Sequence, residues 1–215
     1  PSKNEAASLK ILLGNLKHNY PDAEIIVVND GSTDNTIDVC KMHDVRVVTN
    51  PYSMGNGGAI KNGARAASGD ILVFMDADGQ HKPDDIPLLL SRLEQGYDMV
   101  VGARSDESQA SKGRLLANLV YNKLSSWMVN QKVLDLTSGF RAVKAGKFRE
   151  FLHMLPNGFS YPTTITMAFF RAGYAVGYVP IHAARREGKS HIKPLTDSIR
   201  FFLIIFKVGT LYSPL

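Results

Sequence analysis

The stretch Ile71-Leu72-Val73-Phe74-Met75-Asp76-Ala77-Asp78-Gly79-Gln80-His81 decides how the chain is read. Its first five residues form a short continuous apolar run, as expected of a parallel strand covered on both faces. Two carboxylates one residue apart follow at the strand's carboxyl end, which is where open α/β sheets bind ligands. Gly79 permits a turn, and Gln80 and His81 add ligand-capable side chains. A lone D-x-D is ordinarily a solvated acidic turn. The strand ahead of this pair, and Pro83 near a helix start behind it, point to a functional site instead. Hard oxygen ligands this close together suit Mg2+ or Mn2+ held jointly with a substrate phosphate.

Working outward, strands and helices alternate along the whole chain, which predicts an α/β fold. Leu9, Leu12, Leu13 and Leu16 share one face of a helix over residues 5–19. Strands are expected at residues 24–28, 45–49, 71–75, 97–102 and 175–181, and helices at 59–67, 84–95, 112–129 and within 159–172. Residues 135–143 read as a turn and then a strand. The first helix starts at once, with no apolar run ahead of Pro1, so the sequence reads as a fragment whose first strand is truncated.

At 215 residues the length suggests one domain, or one with an extension, and 44% hydrophobic residues supply a core. Cys40 is the single cysteine, which excludes an internal disulfide and a cysteine-rich zinc site and suits a reducing compartment. No signal peptide is visible and no apolar run reaches bilayer length. Charge is split. Residues 1–103 carry nine Lys and Arg against fourteen Asp and Glu, and residues 104–215 carry sixteen against six. A basic protein often binds nucleic acid. This division instead suggests a metal-binding acidic half and an anion-binding basic half, or a basic face toward anionic lipid.

Asn29-Asp30-Gly31-Ser32-Thr33-Asp34 follows a strand. Asp30 there suits a base N–H or a ribose hydroxyl, Ser32 or Thr33 can cap the next helix, and Asp34 serves that helix's N-terminus. Gly55-Asn56-Gly57-Gly58-Ala59-Ile60-Lys61 fails both the dinucleotide fingerprint and the P-loop pattern, so neither fold is supported. It reads as a flexible loop that brings backbone amides or Lys61 near a nucleotide. Arg185-Arg186-Glu187-Gly188-Lys189-Ser190-His191-Ile192-Lys193 reads as an anion-binding loop. The tail around Phe201–Val208 is apolar nearly all round but too short to span. It suits a core helix or a helix lying in the membrane interface, and the basic loop before it favours the interface.

As a set, these motifs resemble the inverting family 2 glycosyltransferases of the GT-A fold, and most closely the branch of dolichyl-phosphate mannose synthase and the bacterial polyprenyl-phosphate glycosyltransferases. Pro1-Ser2-Lys3-Asn4-Glu5 matches that family's P-x-Y-N-E, with Lys3 in place of the aromatic. Val28-Asn29-Asp30-Gly31-Ser32-Thr33-Asp34 matches V-D-D-G-S-x-D, with Asn29 for the first Asp. Asp76-Ala77-Asp78-Gly79-Gln80-His81-Lys82-Pro83 matches D-A-D-x-Q-H-x-P, and Asp135 to Arg141 resembles D-x-x-S-G-F-R. Arg185-x-x-Gly188-x-Ser190 matches R-x-x-G-x-S-K with His191 at the Lys position.

The resemblance implies a mostly parallel central sheet flanked by helices, with a catalytic domain over 1–193. It also implies an amphipathic membrane-interface helix over 194–215, ahead of membrane helices beyond residue 215. Pro1, Glu5, Asp30 and Asp76 would contact the nucleotide, with Lys61 near it. Asp76, Asp78 and Gln80 would gather Mg2+ or Mn2+ and the donor diphosphate. Arg104, Arg114, Ser138 and Arg185 would hold the acceptor phosphate, and Asp76, Asp78 and Arg104 would form the catalytic set. The implied reaction transfers a hexose from GDP-mannose or a UDP-glucose type donor to a polyprenyl or dolichyl phosphate at the cytoplasmic membrane face, without nucleic acid. Homo-oligomerisation stays open. A lipid phosphate, with a second pKa near 6, is largely ionised at neutral pH and needs cations rather than a base. Two alternatives remain: transfer to a sugar hydroxyl with Asp135 as base, and a non-catalytic module binding anionic lipid or nucleic acid. A sugar nucleotidyltransferase would need a G-x-G-T-R-type loop, which is absent.

Overall fold

The computed structural model describes residues 1–104, 112–158 and 160–182, together with Leu203, Ile204, Phe206 and Lys207; for residues 112–117 it describes the backbone only. In chain order the elements are α1 (Ala6–Asn19), β1 (Ile26–Asn29), α2 (Thr36–Met42), β2 (Arg46–Thr49), α3 (Asn56–Ala66), β3 (Ile71–Phe74), α4 (Ile86–Glu94), β4 (Met99–Arg104), α5 (Lys112–Val129), β5 (Arg141–Lys144), α6 (Ala145–Glu150), α7 (Tyr161–Arg171) and β6 (Val176–Ile181). The strands form a parallel pair, β1-β2, and a four-stranded sheet in the order β3-β5-β4-β6. β4 and β6 are parallel, whereas β5 runs antiparallel to both its neighbours. The GT-A architecture expected from the sequence is therefore present, with β5 as its antiparallel strand.

Side chains leave the strands alternately to two faces, and helices cover both. Met99 and Val101 of β4 pack with Ile60 of α3, Phe148 of α6 and Phe169 of α7, while Val100 between them packs with Ile86, Leu89 and Leu93 of α4. This two-sided burial is why the strands read as unbroken apolar runs. A third cluster joins Leu9, Leu12 and Leu13 of α1 to Val39 and Cys40 of α2, so Cys40 is packed as expected. α6 was not foreseen. Its six residues follow β5 directly, and Ala145 and Phe148 are buried.

The two sheets meet at Pro1 and Ser2. Ser2 donates its N–H to Val28 O at 2.9 Å and accepts from Asp30 N at 2.9 Å, while Ala77 N donates to Pro1 O at 3.3 Å. Below this junction β1 and β3 are separated by a slot. A cavity of about 340 Å3 opens on one side of it, lined by Ile26, Val28, Ile60 and Val73, and one of about 160 Å3 on the other, lined by Leu9, Leu13, Val27 and Met75.

Candidate active site

The carboxyl ends of β1, β3 and β4 open on one edge of the fold. Because β5 is antiparallel, its amino-terminal turn, Asp135 to Phe140, reaches that same edge. Phe74 pairs with Arg141 in the β3-β5 register, and Gly102 N donates to Phe140 O at 2.9 Å. Residues scattered between positions 1 and 141 converge for this topological reason.

Asp76 and Asp78 sit half-buried at the end of β3. Asp78 Oδ1 accepts from Gln80 N at 3.2 Å, and Gly79 turns the chain with φ of 75°. Asp76 Oδ1 accepts from Asn56 Nδ2 at 3.1 Å, a partner the sequence reading missed. The other Asn56 amide atom, Oδ1, is buried without a protein partner. On the far side of Asp76 lies Gly139. A Cβ there would stand 3.1 Å from Asp76 Oδ2 and 3.4 Å from the Tyr161 hydroxyl. Two carboxylates one residue apart form an oxygen donor set that fits Mg2+ or Mn2+. Among the described residues no three His, Cys, Asp or Glu side chains close a full cage. Such a pair leaves coordination positions for water and phosphate oxygens, as these ions prefer. His81 stacks on Phe140 with centroids 5.0 Å apart, and burial pushes its imidazole toward the neutral form.

Glu5 and the turn after β1 are stitched together. Ala6 N donates to Asp34 Oδ2 at 3.0 Å, Asn4 N to Ser32 Oγ at 3.0 Å, and Thr33 N to Asn4 Oδ1 at 2.8 Å. Asn4 holds a left-handed φ of 55°, which Asn tolerates. Asp34 serves α2 as expected, accepting from Thr36 N at 3.1 Å. Ser32 and Thr33 do not cap α2; they bind Asn4 instead. Ser8 Oγ links Glu5 to the acidic turn, donating to Glu5 Oε2 at 3.3 Å and to Ala77 O at 2.7 Å. Glu5 and Pro1 therefore stand beside Asp76–Asp78, where a nucleotide was expected.

Two residues expected near the nucleotide, Asp30 and Lys61, are held by protein groups. Asp30 is only 4% exposed, and its carboxylate already accepts from Asn50 Nδ2, Ser53 Oγ, Met54 N and Gly55 N at 2.7–2.9 Å. Burial raises its pKa, but these four donors more than reverse that and hold it below the usual carboxylate range. Asp30 thus shapes the loop over residues 50–55. Lys61 Nζ donates to Leu155 O at 3.0 Å, away from the acidic pair. The amides of Gly57 and Gly58 donate to Gly158 O and Asn157 O at 3.1 and 3.0 Å. A Cβ on Gly57 would lie 2.1 Å from Pro156 O. The glycines admit this neighbouring loop.

On the other side of the acidic pair, Arg104 and Asp135 form a two-pronged ion pair. Nε donates to Asp135 Oδ2 at 2.8 Å and Nη2 to Oδ1 at 3.0 Å, and Nη2 also reaches Thr137 Oγ1 at 2.6 Å. The backbone amides of Arg104, Thr137 and Ser138 add three more bonds to the same carboxylate. Burial pushes the Asp135 carboxyl up, but the Arg104 charge and these donors bring it below its ordinary value. Ser138 is buried, with its hydroxyl unpartnered. Beneath them lies Arg141, wholly buried. Its guanidinium donates to Ser138 O, to Pro162 O and to Thr166 Oγ1 and faces the Tyr161 ring at 5.8 Å. Desolvation lowers its pKa. Arg141 was quoted within a motif but given no role; the buried position of a lone basic residue next to Gly139-Phe140 was its one sequence signal. The Arg114 side chain, the Arg185–Lys193 loop and most of the 194–215 tail lie outside the described residues.

The family model described as glycosyl transferase family 2 matches residues 1–152. The undecaprenyl-phosphate mannosyltransferase of Micrococcus luteus is 30% identical over 205 residues, covering 87% of this chain and 82% of that one. The polyprenol monophosphomannose synthase of Mycolicibacterium smegmatis is 29% identical over 206 residues, covering 87% and 76%. Among solved structures, the glucosyl-3-phosphoglycerate synthase from Mycobacterium tuberculosis, in complex with Mn2+ and UDP-glucose, superposes with a TM-score of 0.78 at 23% identity, over 97% of this chain and 77% of that one. The last likeness is one of fold.

Proposed function

We propose, since this chain belongs to glycosyl transferase family 2 and is a glycosyltransferase, that it moves a hexose from a nucleotide sugar to the phosphate of a polyprenyl lipid, with inversion at the sugar carbon. The observation that carries this reading is the Arg104–Asp135 fork. A sugar hydroxyl acceptor would need a carboxylate able to take a proton. Asp135, the carboxylate brought to the acceptor side by the turn before β5, has both oxygens engaged and a lowered pKa. A lipid phosphate arrives already ionised and needs donors that orient it rather than a base, a role to which the guanidinium of Arg104, held in place by Asp135, contributes. The names of the M. luteus and M. smegmatis relatives support the same acceptor class.

The residues divide as follows. Glu5 and Pro1 border the nucleotide, with Asp30 organising the neighbouring loop. Asp76 and Asp78 would hold Mg2+ or Mn2+, assisted by Gln80; the metal supplies charge neutralisation for the departing diphosphate. Asn56 and Gly139 fix the position of Asp76. Arg104, with Ser138 and the remaining basic residues Arg114 and Arg185, orients the acceptor. Catalysis is mostly positioning and electrostatics. The site faces the cytoplasmic side of a membrane, where such an acceptor's phosphate is presented.

The test is direct. Purified protein with Mn2+ and radiolabelled GDP-mannose or UDP-glucose is offered a short prenyl phosphate or an oligosaccharide. Label passing into the prenyl phosphate alone is expected; label in the oligosaccharide instead would overturn the acceptor assignment. Arg104→Ala raises the KM for prenyl phosphate while donor binding stays nearly unchanged.

A further inference from the structure

We infer that the outward face of α5 is a docking surface for an anionic lipid bilayer. The inward face of this helix is settled: Tyr121, Leu124, Met128 and Val129 pack into a cluster with Leu136 and Met167. The opposite face carries Leu119, Val120, Lys123 and Trp127, spaced by three and four residues and so stacked along one side. Leu119 and Val120 are 52% and 54% exposed, and Trp127 is 75% exposed. Three large apolar side chains side by side on a solvent-facing helix are unusual on a water-soluble surface.

The composition selects the occupant. Between Glu107 and Asp135 the chain has no carboxylate and four basic residues, Lys112, Arg114, Lys123 and Lys132. Asp135 itself is buried and neutralised by Arg104. Trp, with an apolar body and one N–H, partitions to the headgroup boundary, and Lys can extend its ammonium to lipid phosphates from a half-immersed stem. A face of this kind complements a negatively charged leaflet. Ile204 packs on the cluster that α5 helps to build, while Leu203 and Phe206 beside it remain more than half exposed. The apolar face therefore continues onto that helical segment. The inference uses the proposed lipid acceptor only to explain why membrane contact is useful; the contact itself is measured without turnover.

Trp127 is the chain's one tryptophan, so its fluorescence reports this face alone. The protein is titrated with phosphatidylcholine vesicles with and without phosphatidylglycerol. Emission is expected to move to shorter wavelength, and to be quenched by brominated acyl chains, with the anionic vesicles. Leu119→Ser/Val120→Ser is expected to weaken vesicle co-sedimentation roughly tenfold or more, and Lys123→Glu to remove the preference for phosphatidylglycerol. Both variants should keep wild-type nucleotide-sugar binding. Sedimentation with an unmoved Trp127 spectrum would place the membrane contact elsewhere and overturn the inference. A concentration-dependent shift in the absence of lipid would overturn it in favour of a second copy of the chain. Failure of prenyl phosphate turnover with the lipid-induced shift intact would instead strike the proposed reaction and leave this surface standing.

Discussion

Asp135 can be told from a general base by what its loss does. If it accepted a proton, Asp135→Asn would lower kcat while leaving stability and acceptor KM alone. As the partner of Arg104, its removal leaves a largely buried guanidinium uncompensated, which costs about 3 kcal/mol. The expected result is a lower Tm and a raised KM for prenyl phosphate, both read on the purified variant. Gly139 makes a second case. The missing Cβ is where Asp76 and Tyr161 approach, at 3.1 and 3.4 Å. Gly139→Ala should displace the Asp76 carboxylate by a fraction of an ångström and reduce kcat by about tenfold to a hundredfold, with an unchanged far-UV spectrum. Both residues show the limit of reading along the chain. Asp76 and Asp78 were legible because adjacency to a strand end is a local property. The Arg104–Asp135 and Asn56–Asp76 contacts join residues 31 and 20 positions apart, and only the register of β5 and the path of α3 bring them together. The surroundings of Asp30 were illegible for the same reason: the four donors on its carboxylate come from residues 50–55.

At the scale of elements, the strands and most helices were legible because each apolar run or helical stripe is bounded by a turn signal. Asp78 and its neighbours fell where the strand ended, as expected. The direction of β5 and the existence of α6 were not legible, since a four-residue strand reads alike in either direction and α6 is under two turns long. β4 also runs two residues further than its apolar run suggested, so Arg104 belongs to the strand and is held by its backbone as well as its side chain. The opposite end of β4 is fixed by a different ion cluster. Asp98 accepts from Lys144 Nζ at 2.9 Å, Lys147 Nζ at 2.8 Å and Ala175 N at 3.0 Å, tying β5, α6 and β6 to β4. Burial would raise its pKa, but these partners lower it from 3.8 to about 2. A carboxylate depressed on folding stabilises the protein above its unfolded pKa, and that stability disappears as the pH falls from about 4 to about 2. The shift corresponds to about 2 kcal/mol. Asp98→Asn should therefore lower stability by that order at pH 7 in urea titrations, and the variant and parent should converge only at about pH 2 and below. A difference that persisted at low pH would assign the effect to packing.

The whole molecule is two sheets joined at one seam, and the proposed donor lies across that seam. Glu5 and the β1 turn stand on one side, Asp76, Asp78 and Arg104 on the other, and the links between them include the Pro1–Ser2 junction, Ser8 Oγ on Ala77 O and Asn56 on Asp76. Charge divides along the chain rather than along this seam: the acidic first half furnishes the ion site, and the basic second half furnishes the acceptor side and the α5 face. A donor that binds the native state alone stabilises it by mass action. At a donor concentration roughly 100-fold above Kd the gain is about 2.7 kcal/mol, which for a domain of this size raises Tm by roughly 5–10 °C. The expected order in a thermal-shift series is that Mn2+ alone and nucleotide sugar alone each give a small rise, and the two together a larger one. EDTA should remove the joint effect, because the diphosphate and the two carboxylates then repel each other. Asp78→Ala should abolish the joint rise while leaving the Tm of the unliganded protein nearly unchanged. A donor-induced rise insensitive to EDTA and to Asp78→Ala would place the diphosphate away from the acidic pair, and the role given to β3's carboxyl end would fall with it.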